Sequence, residues 1–439
     1  MGRPRGADPV RAERADLLRW LLLSAAGLAL TALAVALHAR LGTASAPFIG
    51  TYRAINPASL LAPAVAVAVL LAAWRGWTDR LRWPLLLAGS YVAALAWTLA
   101  LAVVEGRSGL SRPVLGADQY LADLPRIRAD PGAFVRHFVA DAPTLTAATR
   151  QHPPGPGLLL WLLDRTGVQS PAAIGLLLVV VGVATVPLVL MCVRALCHER
   201  AARALLPLLV LGPWALWVAV SMDAVVATLG AGLIAWGVHA SSPDRRGVGA
   251  VGWAIAAGLL LGVAAMFSYS VPWLALSLIC VYFVRRRAAL NLVTGVAALV
   301  PVLGFELAGF TWTRGLAAAQ ADFEGRVEPH RSAVVWGAIS LVVVLLVCGP
   351  GLVASARKIR RTPGWPFLVG TIAAIVFAVG SGQARGEMEH AWVPYFPWLL
   401  VAAVAPERVG GALGRAPLLL AAVGALTAVV IEAVLRTAW

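Results

Sequence analysis

Apolar runs of about twenty residues recur along nearly the whole chain, and this repetition constrains the fold more than any other feature. A helix of about twenty residues is long enough to cross a bilayer core of about 30 Å. Hydrophobic residues make up 60% of the 439 positions and charged residues 13%, whereas soluble domains carry about 25% charged residues. The sequence therefore predicts an all-α fold, a polytopic transmembrane helical bundle.

The breaks between the apolar runs predict about thirteen membrane spans. The first run, 17–37, is too long for a secretory signal peptide and lacks a small-residue cleavage site, so we expect it to be a retained span. No soluble domain and no internal repeat is evident, and we expect one membrane domain over 1–439. The predicted spans lie near 17–38, 56–74, 83–104, 171–193, 201–220, 223–239, 248–266, 269–284, 289–311, 333–353, 365–380, 391–404 and 416–435.

Basic residues predict the orientation of the chain, because loops on the cytoplasmic side carry an excess of Lys and Arg. They occupy the amino-terminal tail and every second loop after it. We therefore expect a plasma-membrane protein with a cytoplasmic amino terminus. The net charge of +15 indicates topology control and attraction to anionic membrane lipid, with no nucleic-acid partner. The basic residues of the predicted cytoplasmic tail and loops are Arg3, Arg5, Arg11, Arg14, Arg75, Arg80, Arg82, Arg194, Arg200, Arg203, Arg245, Arg246, Arg285, Arg286, Arg287, Arg357, Lys358, Arg360 and Arg361.

The longest polar interval, 105–156, lies in the large outer loop 105–170 between the third and fourth predicted spans. Connections in compact bundles are short, and long ones are often functional. We expect this extracytoplasmic loop to carry short interfacial helices and to form an active-site wall; a folded but inert loop is the alternative. The segment 157–165 is too short to span the membrane, and we expect it to lie in the interface or to re-enter.

Titratable residues from distant parts of the sequence fall on the predicted outer side. Such groups at membrane depth are costly and usually functional, so we predict one outward-facing cavity lined by the 105–156 loop, the Asp223 helix start and the 385–390 segment. The candidate residues of this site are Asp118, Tyr120, Asp141, His152, Gly155, Asp223, Tyr269, Arg385, Glu387, Glu389 and His390.

Each motif has a functional and a structural interpretation. Asp118 is a candidate general base, or a helix cap or solvated acid. After His152, the prolines delay the helix to about Leu158, and the free amides at its start suit a phosphate; a stiff re-entry turn with an incidental histidine is equally open. Asp223 begins a helix after Ser221, as an N-cap or as an acid that orients substrate.

The late segment 385–390 carries both charge signs. If it is helical, Glu387 and His390 share a face, while Arg385 and His390 suit contact with a phosphate from one side. Tyr269 stands at an outer kink, where an interfacial anchor is the plain interpretation.

In their order, these motifs resemble the membrane-embedded glycosyltransferases of the C-type (GT-C) superfamily over most of the chain. Those enzymes take sugar from a polyprenyl-phosphate donor on the outer side of the membrane. This sequence departs from that pattern in three ways: the large loop follows the third span, His390 stands where arginine is common, and no lysine precedes Tyr269. The motifs are Asp118, His152-Pro153-Pro154-Gly155, Ser221-Met222-Asp223-Ala224, Ala257 to Gly262 before Tyr269, and Glu387 to Trp392.

The resemblance implies an inverting hexosyl or pentosyl transferase with an extracytoplasmic active site. Asp118 and His152 would be catalytic. Partners would be a polyprenyl-phosphate-linked sugar, membrane lipid, and an acceptor glycan, lipid or protein. No metal-ligand set is assigned, and a divalent metal stays open as a cofactor. Donor-phosphate binding falls to Arg385, His390 and Gly155, and substrate binding to Tyr120, Asp141, Asp223, Tyr269, Glu387 and Glu389.

Three other classes stay open. A polytopic secondary transporter or flippase of a lipid-linked or small polar substrate would show inverted repeats and broken helices with polar groups near the midplane. A membrane acyl- or phosphotransferase would need a nucleophile close to a base. In a non-catalytic scaffold, Asp118 and His152 would tolerate alanine.

Overall fold

The computed structural model describes residues 9–43, 47–48, 55–106, 108–360, 362–404 and 416–434. Across these ranges the regular structure is helical and no strand forms, so the predicted all-α class is confirmed. Arg3, Arg5, Arg361 and position 435 of the last predicted span lie outside the described residues.

Among the residues that the structure describes, seven helices are long and apolar enough to cross a membrane, and a bent pair adds an eighth. The bent pair, Ala333–Cys348 and Gly351–Lys358, turns by 103°. The protein is therefore a polytopic helical membrane protein, while the predicted count of thirteen spans is not confirmed. The seven helices are Val10–Ala36, Pro57–Trp74, Trp83–Glu105, Pro171–Leu196, Met222–Ala240, Gly247–Ala265 and Ala289–Leu307, and three shorter apolar helices are Pro272–Val284, Trp365–Gly380 and Leu418–Val434.

Two predicted spans are broken into short pieces. The first comprises Glu199–Val210 and Ala215–Val218. The second comprises Met388–Ala391, Phe396–Leu399 and a 3₁₀ turn at Val401–Ala403. Residues 201–215 and 392–404 are all buried. Irregular backbone at membrane depth is tolerated where protein surrounds it, which is the position that these segments occupy.

Small residues bring neighbouring helices close together. A Cβ at Gly258 would stand 2.2 Å from the carbonyl oxygen of Thr294, and one at Gly262 would stand 2.3 Å from that of Ala298. Such contacts are typical of helix pairs in membranes. The opposite face of Ala289–Leu307 exposes Leu292 and Leu307, as expected of a surface that meets lipid.

Contacts between loops sort into two sets, one at each end of the bundle. At the end with the basic loops, Arg357 pairs with Asp16, Arg203 reaches Leu81, and Lys358 reaches Ala403. At the other end, Arg150 pairs with Asp322, Ser332 bonds to Arg40, and Gly155 bonds to Met266. This sorting supports the predicted alternation of the loops; which end faces the cytoplasm stays a prediction.

The 105–170 loop folds into short helices that cover the second end. Phe138 contacts Phe134 and Phe310 edge to face, with ring centroids 5.4 Å apart in each pair, so an apolar cluster attaches the loop to the bundle. The Asp130 side chain accepts from the Ala133 amide at 2.8 Å and caps one helix. The helical segments are Ser108–Ser111, Tyr120–Asp123, Leu124–Ala129, Pro131–Asp141, Ala147–Arg150 and Gly155–Arg165, with Trp312–Arg326 beside them.

Candidate functional site

A cavity of about 450 Å³ lies at the end of the bundle opposite the basic loops. Four segments that are far apart in sequence line it: 113–121, 147–152, 220–223 and the turn at 387–390. The structure therefore brings six of the predicted site residues together. They are Asp118, Tyr120, His152, Asp223, Glu387 and His390.

Asp118 presents an exposed carboxylate to this cavity. Its backbone carbonyl accepts from the Ala148 amide at 3.0 Å, which joins two walls of the cavity. The carboxylate makes no hydrogen bond or ion pair within the described ranges, and it caps no described helix. It is therefore available to accept a proton or a hydrogen bond from a ligand.

Tyr120 and His152 form an edge-to-face pair, with ring centroids 5.8 Å apart. The Nδ1 atom of His152 lies 2.9 Å from the carbonyl oxygen of Ala148. A carbonyl can only accept, so Nδ1 carries the hydrogen and Nε2 of the neutral ring is an acceptor. Burial and the nearby charge of Asp223 raise the pKa of Tyr120, whose hydroxyl stays protonated and has no partner among the residues that the structure describes.

Asp223 is held at the start of the long helix Met222–Ala240. Ser221 is the N-cap: its Oγ accepts from the Asp223 amide at 3.0 Å and donates to the Asp223 carboxylate at 3.3 Å. The N-cap is therefore Ser221, two residues before Asp223, and not Asp223 itself. The positive end of the helix dipole favours the carboxylate where it lines the cavity.

Glu387 and His390 lie on a tight turn at the cavity wall. The His390 amide donates to the Glu387 carbonyl at 3.1 Å, and both side chains line the cavity, as the shared-face prediction expects. The Nε2 atom of His390 is buried and has no hydrogen-bond partner within the described part of the chain. An unsatisfied buried polar atom costs about 1–3 kcal/mol, and such atoms often mark a place where a ligand binds.

Two residues of the cavity wall have a strained backbone. Val220 has φ 61° and Glu387 has φ 58°. A β-branched residue such as valine is rarely found at positive φ, and this kind of strain clusters at functional sites. No sequence pattern indicated this feature.

Arg385 does not line the cavity. Its guanidinium is buried, with 8% of the residue exposed, and donates to Gly382, Glu328 and Arg331. The assignment of this residue to the donor phosphate therefore lacks geometric support, because four of its five N–H groups already donate within the protein.

Gly155 also lies outside the cavity lining. Its amide donates to the Met266 carbonyl at 2.9 Å, so the first amide of the helix Gly155–Arg165 is not free for a phosphate. The helix begins at Gly155, three residues before the predicted start at Leu158, because Pro156 is tolerated in the first helical turn. Gly155 serves close packing against Met266 and Phe267.

Three further candidates lie outside the cavity lining. Asp141 forms an ion pair of 2.5 Å with Arg126. The Tyr269 ring contacts Trp312, with centroids 5.4 Å apart. Glu389 is half-buried on the cavity turn, and burial raises its pKa.

Acidic side chains dominate the charge of the cavity. Its described lining carries three carboxylates and two imidazoles and includes no Lys or Arg. Gln119 and Gln151 also line it; neither is among the predicted site residues, although each adjoins one. Across the described ranges, no group of three or more His, Cys, Asp or Glu could hold a metal ion.

No protein-family model and no curated protein matches the sequence. Among solved structures, the chain is similar to ArnT from Cupriavidus metallidurans in the apo state, at 20% identity and TM-score 0.44, covering 71% of this chain and 59% of that one. It is also similar to ArnT from Cupriavidus metallidurans bound to undecaprenyl phosphate, at 19% identity and TM-score 0.44, covering 58% of this chain and 49% of that one. A third similar structure is the Archaeoglobus fulgidus oligosaccharyltransferase complex with Zn and sulfate, at 15% identity and TM-score 0.42, covering 64% of this chain and 44% of that one. The chain thus spans about half the length of these proteins.

Proposed function

We propose that the cavity is the active site of an integral membrane glycosyltransferase. The enzyme would move a hexosyl or pentosyl unit from a polyprenyl-phosphate donor to an acceptor hydroxyl on the extracytoplasmic face. One observation carries the proposal: four remote segments each contribute a titratable side chain to one cavity at the end of the bundle opposite the basic loops. The motif order in the sequence supports the same class.

Asp118 is the proposed general base, because its carboxylate is exposed to the cavity and unpartnered by described residues. It accepts the proton of the acceptor hydroxyl while the acceptor oxygen bonds to the anomeric carbon of the sugar. The bond from that carbon to the phosphate oxygen breaks, and polyprenyl phosphate leaves. A single displacement of this kind inverts the anomeric centre.

The other polar groups would orient the sugar. Nε2 of His152, in the tautomer whose Nδ1 donates to Ala148, and the carboxylates of Asp223 and Glu387 accept hydrogen bonds from hydroxyl groups, while the Tyr120 hydroxyl can donate one. An acceptor-rich cavity suits a ligand that carries many hydroxyl donors.

The leaving phosphate would be stabilised by His390. With its hydrogen on Nε2, the ring donates a hydrogen bond to a phosphate oxygen, which satisfies an atom that otherwise has no described partner. Groups aimed at developing charge contribute strongly when water is excluded. This proposal moves the phosphate role away from Arg385 and Gly155, and it routes no step through a metal ion.

The direct test is transfer of labelled sugar from a polyprenyl-phosphate donor in membranes, comparing wild type with Asp118→Asn. Loss of a general base should lower the rate by about 10²–10⁴-fold. Asp141→Asn is the matched control, because this acid lies in the same loop but outside the cavity, and an exposed ion pair contributes about 0–1 kcal/mol. Full activity of Asp118→Asn would remove Asp118 as the base.

A transporter or flippase is the second candidate, favoured by the two broken segments at membrane depth, 199–221 and 388–404. Discontinuous helices often form the substrate sites of transporters. Proteoliposomes that contain the purified protein and a lipid-linked sugar separate the two functions. Movement of the lipid-linked sugar across the bilayer without transfer to any acceptor would support the transporter instead.

A further inference from the structure

Four of the five N–H groups of the Arg385 guanidinium donate to acceptors within the protein. Nε donates to Gly382 O at 2.6 Å, Nη1 to Glu328 O at 2.9 Å and Arg331 O at 3.0 Å, and Nη2 to the Glu328 carboxylate at 2.7 Å. The guanidinium carbon also lies 5.7 Å from the centroid of the Phe323 ring. These contacts attach the 382–391 turn to the segment that follows the helix Trp312–Arg326.

Arg331 makes the opposite contact. Its Nη1 donates to the carbonyl oxygen of Arg385 at 2.6 Å, and its guanidinium carbon lies 5.3 Å from the centroid of the Trp336 ring. Each arginine therefore donates to the backbone carbonyl of the other. We call this reciprocal pair, Arg331 and Arg385, the arginine clasp.

The turn that the clasp holds has an unfavourable backbone. Gly382 has φ 73°, Gly386 has φ 122° and Glu387 has φ 58°. The left-handed region costs an ordinary residue about 1–2 kcal/mol, and strained conformations persist only where surrounding contacts determine them. The clasp supplies such contacts directly before Glu387 and His390 enter the cavity.

We propose that the arginine clasp is a positioning device: it holds the 382–391 turn in the conformation that presents Glu387 and His390 to the cavity. The catalytic part of this inference rests on the proposed function; the geometric part does not. Arg385 acts through the turn and touches no substrate.

Arg385→Lys separates positioning from phosphate binding. Lysine keeps the charge but loses the planar fork that contacts several oxygens at once. If Arg385 bound the phosphate, lysine should preserve much of the donor affinity. If it positions the turn, lysine should fail nearly as badly as Arg385→Gln.

The first measurement is hydrogen–deuterium exchange of the full-length protein in detergent, followed in peptides that cover 382–396. Arg385→Lys and Arg331→Lys should each speed exchange there by about tenfold, since the lost contacts open the turn. Arg326→Lys is the control: the Arg326 side chain is largely exposed and pairs with Asp322 on its own helix, which adjoins the clasp. Unchanged exchange in both clasp variants overturns the inference. The Arg331 variant breaks only one bond of the clasp and keeps the test valid if Arg385→Lys does not fold.

The second measurement is the split between kcat and KM for the lipid-linked donor. Positioning predicts a fall in kcat of about tenfold or more with KM little changed, in both the Lys and the Gln variant. A raised donor KM in Arg385→Gln that Arg385→Lys restores, with normal exchange, would indicate direct phosphate binding and refute the clasp. Faster exchange in a protein that transfers no sugar would support the clasp while refuting the proposed function.

Discussion

Replacing Gly155 by alanine tests why the His152–Gly155 motif ends in glycine. An ideal Cβ at this position would stand 2.3 Å from the Met266 carbonyl oxygen and 3.0 Å from the Phe267 ring, whereas ordinary contacts begin at 3.4 Å. The closest atom belongs to the backbone and cannot rotate away. The helix Gly155–Arg165 would therefore have to retreat by about 1 Å from Met266, as overpacked side chains force backbone shifts.

The expected cost has two parts. Overpacking of a tight contact costs about 1–3 kcal/mol. The retreat also lengthens the hydrogen bond from the Gly155 amide to Met266 O, now 2.9 Å, which is worth about 1 kcal/mol. We expect Gly155→Ala to lower the free energy of unfolding by about 2–4 kcal/mol.

Unfolding in detergent, followed by heat or denaturant, measures this cost. Gly295→Ala is the matched control, because no atom lies within 4 Å of its Cβ position in the helix Ala289–Leu307, and alanine should stabilise that helix by up to about 1 kcal/mol. Equal stability of the two variants would refute the close-packing explanation. Alanine keeps the backbone amide, so a glycine that served only to offer its amide to a phosphate would tolerate the change.

Three further expectations concern other parts of the structure. Tyr120→Phe should lower kcat/KM by about tenfold in steady-state assays, because the lost hydrogen bond to substrate is worth about 1.4 kcal/mol. Melting curves should show an unchanged unfolding temperature, because the hydroxyl has no described protein partner. Arg357→Gln should destabilise the protein by about 3 kcal/mol, measured by unfolding, because Asp16 is 1% exposed and loses its bidentate partner; Arg19→Gln, at 3.6 Å from Asp16 and largely exposed, should cost much less. Burial raises the pKa of Glu389 above 4.5, so the folded protein keeps this proton to higher pH than the unfolded chain. The protein should therefore lose stability as pH rises from 4.5 towards neutrality. Glu389→Gln should remove that dependence, and melting temperatures that fall equally in both proteins would contradict it.

Much of the fold follows from local composition. Helices such as Met222–Ala240 and Gly247–Ala265 coincide with the predicted spans, since a helix that crosses lipid must be apolar along its whole length. The grouping of loops at two ends follows the alternation of arginine. Both signals are properties of short stretches, and a single sequence displays them directly.

Local composition does not predict the breaks in the two broken segments. The regions 201–220 and 391–404 are apolar enough to be predicted as continuous spans, and Pro394 and Pro397 alone do not reveal how far the helix breaks. Whether irregular backbone is tolerated depends on complete burial by other helices, which is a property of the tertiary structure.

For the candidate site too, some features follow from the sequence and others depend on tertiary contacts. Sidedness and motif chemistry led to Asp118, His152 and His390, which the structure places around one cavity. Sequence proximity could not separate His390 from Arg385, because the difference lies in which distant carbonyls surround each side chain. The 328–331 backbone that surrounds Arg385 is more than fifty residues away in sequence.

The buried, irregular stretch 392–404 has a consequence for biosynthesis. Its short helices leave amide and carbonyl groups that lipid cannot satisfy, so this stretch gains little by partitioning into the bilayer alone. We therefore expect the neighbouring helices to assemble before this stretch packs between them.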